Sequence, residues 1–166
     1  MRRCGGRRPG AIGRAQSRVA GASRAIGGQQ AAREERFLNS KLSLLVVDDQ
    51  PDLRLLIALT FRGTRYEVQQ AANVAEARAL CQRCTPDAII LDVMMPGVDG
   101  YEFCRELRAD AAYDRTVVVL MTAGDQATER VRAAEAGSDF YLPKPFSPAQ
   151  LPPLIADLLK ARRGSA

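Results

Sequence analysis

From Leu42 onward, short apolar runs alternate with amphipathic segments along the chain. Most of the runs are near-continuous stretches of Val, Ile and Leu, which is the pattern of strands buried on both faces. The predicted strands span about 42–47, 66–70, 87–91, 116–121 and 138–142. The predicted helices span about 51–62, 74–84, 100–109, 126–136 and 148–162. This alternation predicts an α/β fold, in which helices cover both faces of a parallel sheet.

Two of the predicted helices begin with capping signals. Asn73 followed by Glu76 has the spacing of a capping box in front of the second helix. Ser147, Pro148 and Gln150 combine a hydroxyl cap, a proline at the first helical position and a capping-box glutamine. We therefore expect the second helix to begin after Asn73 and the fifth to begin at Pro148.

Polar side chains directly follow four of the apolar runs: Asp48 with Asp49, then Asp92, Thr122 and Lys144. The carboxyl ends of parallel strands share one edge of an open sheet, and ligands bind there where the strand order reverses. We therefore expect these side chains to converge on one site. Three carboxylates would repel one another without a counterion, and a hard divalent cation such as Mg²⁺ resolves that repulsion. The complete set suits such a cation together with a phosphoryl group.

The composition is that of an ordinary globular protein, with 46% hydrophobic and 26% charged residues in a chain of 166. No apolar run approaches the roughly 18 residues of a membrane helix, so we expect a soluble protein without membrane contact. Four cysteines and no evident secretory signal favour a reducing compartment, and hence the cytoplasm. The absence of histidine excludes His-ligated metals, Ser-His and Cys-His catalytic pairs, and a phosphohistidine carried by this chain.

Positive charge is concentrated near the N-terminus. Residues 1–41 hold ten Arg or Lys and two Glu, for a net +8, whereas residues 42–166 have a net charge of −3. Because residues 1–36 are poor in large apolar side chains, we predict that they are disordered. The expected division is a basic tail, 1–40, and a globular domain, 41–163. The tail is interpreted as an arm for nucleic acid or anionic surfaces, as an organelle transit peptide, or as a start-site extension without function.

Four stretches together resemble a response-regulator receiver domain of two-component signalling, namely LLVVDDQPDLRLLI, IILDVMMPGVDGYEFCRELR, VVVLMTAG and DFYLPKPF. The spacings also fit, since Thr122 lies 30 residues and Lys144 lies 52 residues after Asp92. The resemblance extends from Leu42 to Lys160. It implies a flavodoxin-like, doubly wound sheet of five parallel strands in the order 2-1-3-4-5.

The resemblance assigns roles to the acidic residues. It implies that Asp92 is the phosphoacceptor, and a carboxylate can indeed take a phosphoryl group to form an aspartyl phosphate. It further implies that Asp49 and Asp92 bind Mg²⁺ directly, that Asp48 binds directly or through water, and that the backbone carbonyl of Met94 is another ligand. Outside this setting, Asp92 would be interpreted as a turn residue, and Asp48 with Asp49 as helix caps.

The resemblance also assigns roles to three residues near the later strands. Lys144 is implied to neutralise phosphoryl oxygens, with a cis Lys144–Pro145 bond directing its ammonium group inward. Thr122 is implied to donate a hydrogen bond to a phosphoryl oxygen after phosphorylation, and Tyr141 to be the rotating aromatic residue of the switch. The alternatives are a strand threonine without a task and a tyrosine that only packs on the sheet.

The implied function is that of a stand-alone receiver, which is a signalling switch with self-catalysed phosphorylation and dephosphorylation and no other enzymatic activity. It would take a phosphoryl group from a sensor histidine kinase or phosphotransfer protein and act on a downstream effector through the fourth helix, fifth strand and fifth helix. The alternatives are a phosphate-independent interaction module and a nucleic-acid-binding protein acting through the basic tail. A phosphohydrolase of the haloacid-dehalogenase type is disfavoured, because it needs a second aspartate where Met94 stands.

Overall fold

The alternation of strands and helices is present in the computed structural model, which describes residues 40–124 and 126–164. The strands, β1 to β5, are Leu42–Val47, Tyr66–Ala71, Ala88–Asp92, Val117–Thr122 and Phe140–Pro143. The helices, α1 to α5, are Pro51–Thr60, Val74–Arg83, Gly100–Ala109, Gln126–Glu135 and Leu151–Gly164. Short 3₁₀ turns, Ala111–Tyr113 and Pro148–Gln150, precede β4 and α5. The disorder predicted for residues 1–36 lies outside the described residues, as does almost all of the predicted tail.

The strands form one parallel sheet in the order β2-β1-β3-β4-β5. This confirms the predicted doubly wound, flavodoxin-like topology. The strand order reverses at β1 and β3, where Val47 pairs with Leu91. Asp48, the next residue after β1, therefore lies beside Asp92, the last residue of β3. Two strand ends that are 44 residues apart in the chain meet at the switch point in this way.

The central strands are apolar because helices cover both of their faces. Every residue of β3 and of β4 is buried. The edge strand β2 instead exposes Glu67, Gln69 and Gln70. The polar residues that end β3 and β4, Asp92 and Thr122, are therefore enclosed with the core rather than placed on the surface.

The capping signal in front of α2 is confirmed. The Glu76 N–H donates to Asn73 Oδ1 at 2.9 Å, which satisfies one of the open donors in the first turn. The Glu76 carboxylate bonds back at 2.8 Å to the N–H of Ala72, one residue earlier than in the standard capping box. The local sequence is sufficient to position this helix.

The prediction that α5 begins at Pro148 is wrong. Residues Pro148–Gln150 form a 3₁₀ turn, the Ser147 side chain makes no capping hydrogen bond, and α5 begins at Leu151. The reason lies in the adjacent prolines Pro152 and Pro153, which lack N–H groups and fit only in the first turn of a helix. At 14 residues α5 is the longest described helix, and no helix in the described ranges is long and apolar enough to cross a membrane.

Strand β5 also begins two residues later than predicted, at Phe140. Gly137 has a φ of 81°, and Ser138 Oγ donates to the carbonyl of Ala133 at 2.9 Å. Ser138 therefore still belongs to the turn that ends α4 and is not part of the strand. Strand pairing with β4 starts only after Asp139, whose N–H bonds the Val118 carbonyl at 2.8 Å.

Candidate functional site at the carboxyl edge of the sheet

The three predicted aspartates come together at the switch point. One carboxylate oxygen from each of Asp48, Asp49 and Asp92 lies within 4.8 Å of the others. Asp48 and Asp92 are buried, with 0% and 2% of their surface exposed, whereas Asp49 is exposed. The cluster therefore opens to solvent on the side of Asp49.

Lys144 connects two of these carboxylates. Its ammonium nitrogen lies 3.1 Å from Asp48 Oδ2 and 3.1 Å from Asp92 Oδ1. The Lys144–Pro145 peptide bond is cis, as predicted, and the Lys144 N–H donates to the carbonyl of Thr122 at 2.8 Å. The end of β5 is thus attached to the end of β4, and this attachment directs the lysine toward the acidic cluster.

The loop after β1 holds Asp48 in place. Its Oδ1 accepts a hydrogen bond from the Gln50 N–H at 2.8 Å, and its own carbonyl accepts one from Arg54 Nη1 at 2.6 Å. Both carboxylate oxygens of Asp48 therefore have protein partners, since Lys144 occupies the second.

The electrostatics of the cluster call for more positive charge than the protein supplies. Burial raises the pKa of Asp92 above its ordinary value, while the Lys144 ammonium opposes this shift and the Asp48 carboxylate adds to it. Three carboxylates face one ammonium group, so their full ionisation leaves an excess of two negative charges. Carboxylate oxygens with this charge excess are the donor set that Mg²⁺ prefers, so the residues present fit that ion.

Thr122 ends β4 and is 1% exposed. Its hydroxyl donates to Glu129 Oε2 at 3.1 Å and accepts from the N–H of Gly124 at 3.1 Å. The Thr122 hydroxyl therefore has a structural role in the strand end, because it both donates and accepts a hydrogen bond.

Residues 44–156 match the family model of the response regulator receiver domain. The match takes in most of β1 and all of β2 to β5, and it contains every residue of the site described above. The chain belongs to the response-regulator receiver family.

The receiver is similar to known response regulators over about three quarters of the chain. It is 36% identical over 126 residues to response regulator Rre1 of Synechocystis, covering 75% of this chain and 54% of that protein. It is 42% identical over 121 residues to response regulator MprA of Mycobacterium leprae, covering 72% of this chain and 51% of that protein. The chain thus spans about half the length of these relatives, which are signalling proteins.

A solved structure shows the same fold. The Vibrio cholerae chemotaxis protein CheY4 superposes with a TM-score of 0.68 at 31% identity, over 72% of this chain and 100% of that one. The likeness of fold therefore covers about the same share of the chain as the likeness of sequence.

The loop after β3 brings backbone close to Asp92. The N–H of Met94 donates to Asp92 Oδ1 at 3.3 Å, and the Met94 residue itself is 68% exposed. A Cβ added to Gly100 would lie 2.4 Å from the carbonyl oxygen of Asp92 and 2.8 Å from the Cα of Val93. Only glycine permits the first turn of α3 to pack this closely on the end of β3.

Sequence reasoning missed a second group of buried polar residues beside Thr122. Glu129, in the first turn of α4, accepts hydrogen bonds from the hydroxyls of Thr122 and of Tyr101. The hydrogen bond from Tyr101 is the chief cause that holds the pKa of Glu129 below its ordinary value, against the effect of burial. Acidic residues are common in the first turn of a helix, where they interact favourably with the helix dipole. The position of Glu129 in the sequence therefore gave no separate indication of these contacts.

Tyr141 lies in β5, partly buried against the core of the sheet. Packing on the sheet is thus a task that Tyr141 performs in this structure.

Proposed function

We propose that this receiver accepts a phosphoryl group on Asp92. The arrangement of charges around that carboxylate carries the proposal. Its Oδ1 is 3.1 Å from Lys144 Nζ. One carboxylate oxygen from each of Asp48, Asp49 and Asp92 lies within 4.8 Å of the others, close enough for the three to share one metal ion. The donor would be the phosphohistidine of a sensor histidine kinase or phosphotransfer protein, since this chain contains no histidine of its own.

In the proposed step, an oxygen of Asp92 attacks the phosphorus atom and the phosphorus–nitrogen bond of the donor breaks. The electron pair of that bond stays on the imidazole nitrogen, which takes up a proton as the donor leaves. Lys144, already in contact with Asp92, would balance the negative charge that gathers on the phosphoryl oxygens. The protein's part is therefore chiefly to position charge.

The proposed metal ligands are Asp49, Asp92 and the backbone carbonyl of Met94, with Asp48 binding directly or through water. A bound Mg²⁺ would supply positive charge to the phosphoryl oxygens. Asp49 is the exposed member of the cluster and therefore the one most open to an entering ion.

The proposed signal passes from Asp92 to the surface formed by α4, β5 and α5. Thr122 would donate to a phosphoryl oxygen, and Tyr141 would turn inward once Thr122 has moved. A downstream effector protein would recognise the altered surface. This receiver function belongs to the proposed domain 41–163, which follows the proposed basic tail, residues 1–40.

The proposal is tested by incubating the full chain with acetyl phosphate and Mg²⁺ and measuring the intact mass. We expect one added phosphoryl group, labile in alkali, and none in Asp92→Asn, which lacks the attacking carboxylate. The matched control is Asp114→Asn, because Asp114 is an exposed aspartate just before the amino end of β4. It should be labelled like the parent. Undiminished labelling of Asp92→Asn would contradict the assignment.

A further inference from the structure

Glu129 is a buried acid that the proposed phosphoryl chemistry does not use. It is 9% exposed, and three neighbours hold its carboxylate. Oε2 accepts from the hydroxyls of Thr122 and Tyr101, and Oε1 accepts from Arg132 Nη1 at 3.1 Å. These contacts join α3, β4 and α4 at one carboxylate, beside the phosphoacceptor strand.

The contact with Thr122 conflicts with the proposed role of that residue. A threonine hydroxyl has one proton to donate, and here Glu129 receives it. A hydrogen bond to a phosphoryl oxygen would need the same proton. Thr122 therefore cannot keep its contact with Glu129 and also bond the phosphoryl group.

The surroundings of Glu129 fix its position. The Tyr101 residue is 1% exposed, and the Arg132 guanidinium lies 4.5 Å from the centre of its ring while also reaching Asp99 at 3.5 Å. Gly124 is also close: a Cβ added to it would lie 2.7 Å from Glu129 Cγ and 3.0 Å from Cδ. The absence of a side chain at Gly124 is what leaves room for the carboxylate to reach Thr122.

We propose that Glu129 is a positioning residue that holds Thr122 in the unphosphorylated arrangement. When Thr122 transfers its hydrogen bond to a phosphoryl oxygen, Glu129 loses a donor, and the attachment of α4 to β4 is loosened. The inference rests on the proposed function and adds to it an internal competitor for the Thr122 hydroxyl. Because Glu129 favours one of two states, removing it should shift the population toward the other.

The first measurement needs neither metal nor phosphoryl analogue. The χ1 rotamer of Thr122 is determined by three-bond NMR couplings to its methyl carbon in the parent, Glu129→Ala, Glu129→Gln and Glu135→Ala. Glu135 lies exposed on the same helix and serves as the matched control. We expect the rotamer distribution to change in Glu129→Ala, to change less in Glu129→Gln because an amide oxygen still accepts a hydrogen bond, and to stay as in the parent in Glu135→Ala.

The second measurement is the affinity for beryllofluoride, a phosphoryl analogue, in the presence of Mg²⁺. Glu129→Ala should bind it about tenfold more tightly, which is the order expected for releasing a hydrogen bond to a charged acceptor. In a Thr122→Val background this gain should vanish, because no hydroxyl is left to compete for. A purely structural glutamate would produce neither the gain nor its dependence on Thr122.

The two measurements separate the two proposals. Absence of beryllofluoride binding in every variant, the parent included, would count against the proposed function, while the rotamers would still decide the role of Glu129. An unchanged Thr122 rotamer in Glu129→Ala, or an equal gain in affinity in the Thr122→Val background, would overturn that role. If Glu129→Ala does not fold, Gly124→Ala serves in its place, since the added methyl group displaces Glu129 from Thr122, and the same change of rotamer is expected.

Discussion

At the scale of single residues, the site is governed by one ammonium group placed between two buried carboxylates. Lys144 lies 3.1 Å from Asp48 and from Asp92, and neither carboxylate has access to much water. Burying charges is costly unless each finds a partner, and one lysine cannot neutralise three aspartates. The remaining negative charge is the physical basis for expecting a divalent cation.

Asp49→Asn should weaken Mg²⁺ binding on the order of tenfold or more, because it removes the exposed carboxylate from the proposed set of ligands. Isothermal titration calorimetry of the full chain provides the measurement. The control is Asp52→Asn, which removes an exposed acid from the first turn of α1 and should leave the affinity nearly unchanged. If Asp49→Asn titrates like the parent, the ion binds elsewhere.

At the scale of elements, the ends of β4 and β5 and the start of α4 are joined through one residue. Thr122 pairs in register with Pro143, its carbonyl accepts the N–H of Lys144 at 2.8 Å, and its hydroxyl reaches Glu129 at 3.1 Å. A movement of Thr122 therefore acts on three elements together. This gives the proposed signal a physical route from the buried site to α4 and β5.

Beryllofluoride with Mg²⁺ should therefore shift backbone amide NMR signals mainly at 94–98, 122–132 and 139–146. A phosphoryl-like anion adds negative charge and hydrogen-bond acceptors beside Thr122, which can respond with a charge-assisted bond. Thr122→Ala should uncouple the last two regions from the first, since it removes the hydroxyl while keeping the strand. Shifts limited to the direct neighbours of Asp92 in the parent would mean that the site binds the anion without operating a switch.

At the scale of the whole molecule, stability comes from the central strands and the helices that cover them. β3 and β4 are buried along their full length, and α5 adds Leu151, Ile155 and Leu159 to the core. The basic N-terminal segment has few large apolar residues with which to contribute. The core should therefore be complete without it.

A chain that begins at Ser40 should melt within a few degrees of the full-length protein, because little apolar area is lost. Differential scanning calorimetry of both chains provides the comparison. Removal of residues 151–164 is the contrasting control, since it takes three buried side chains from the core and should abolish the cooperative transition. A large drop in melting temperature for the chain that begins at Ser40 would show that the tail packs on the domain.

Much of the fold could be predicted from local pattern, because burial on both faces leaves its mark on each strand separately. The continuous apolar runs of β1, β3 and β4 predicted strands buried on both faces, and the polar residues that follow these runs predicted the edge at which the carboxylates meet. The start of α5 was misplaced because the capping signal at Ser147 competed with Pro152 and Pro153, and the local sequence does not rank the two.

The sequence by itself therefore determined the order of elements, the sheet topology implied by the family resemblance, and the convergence of Asp48, Asp49 and Asp92. Only the tertiary structure decided how those groups are partnered. It placed Lys144 between two carboxylates and gave the Thr122 hydroxyl to Glu129. Such contacts depend on how separate helices and strands pack and on the side-chain rotamers that this packing permits. Neither the packing nor the rotamers can be seen in the pattern of apolar and polar residues along the sequence.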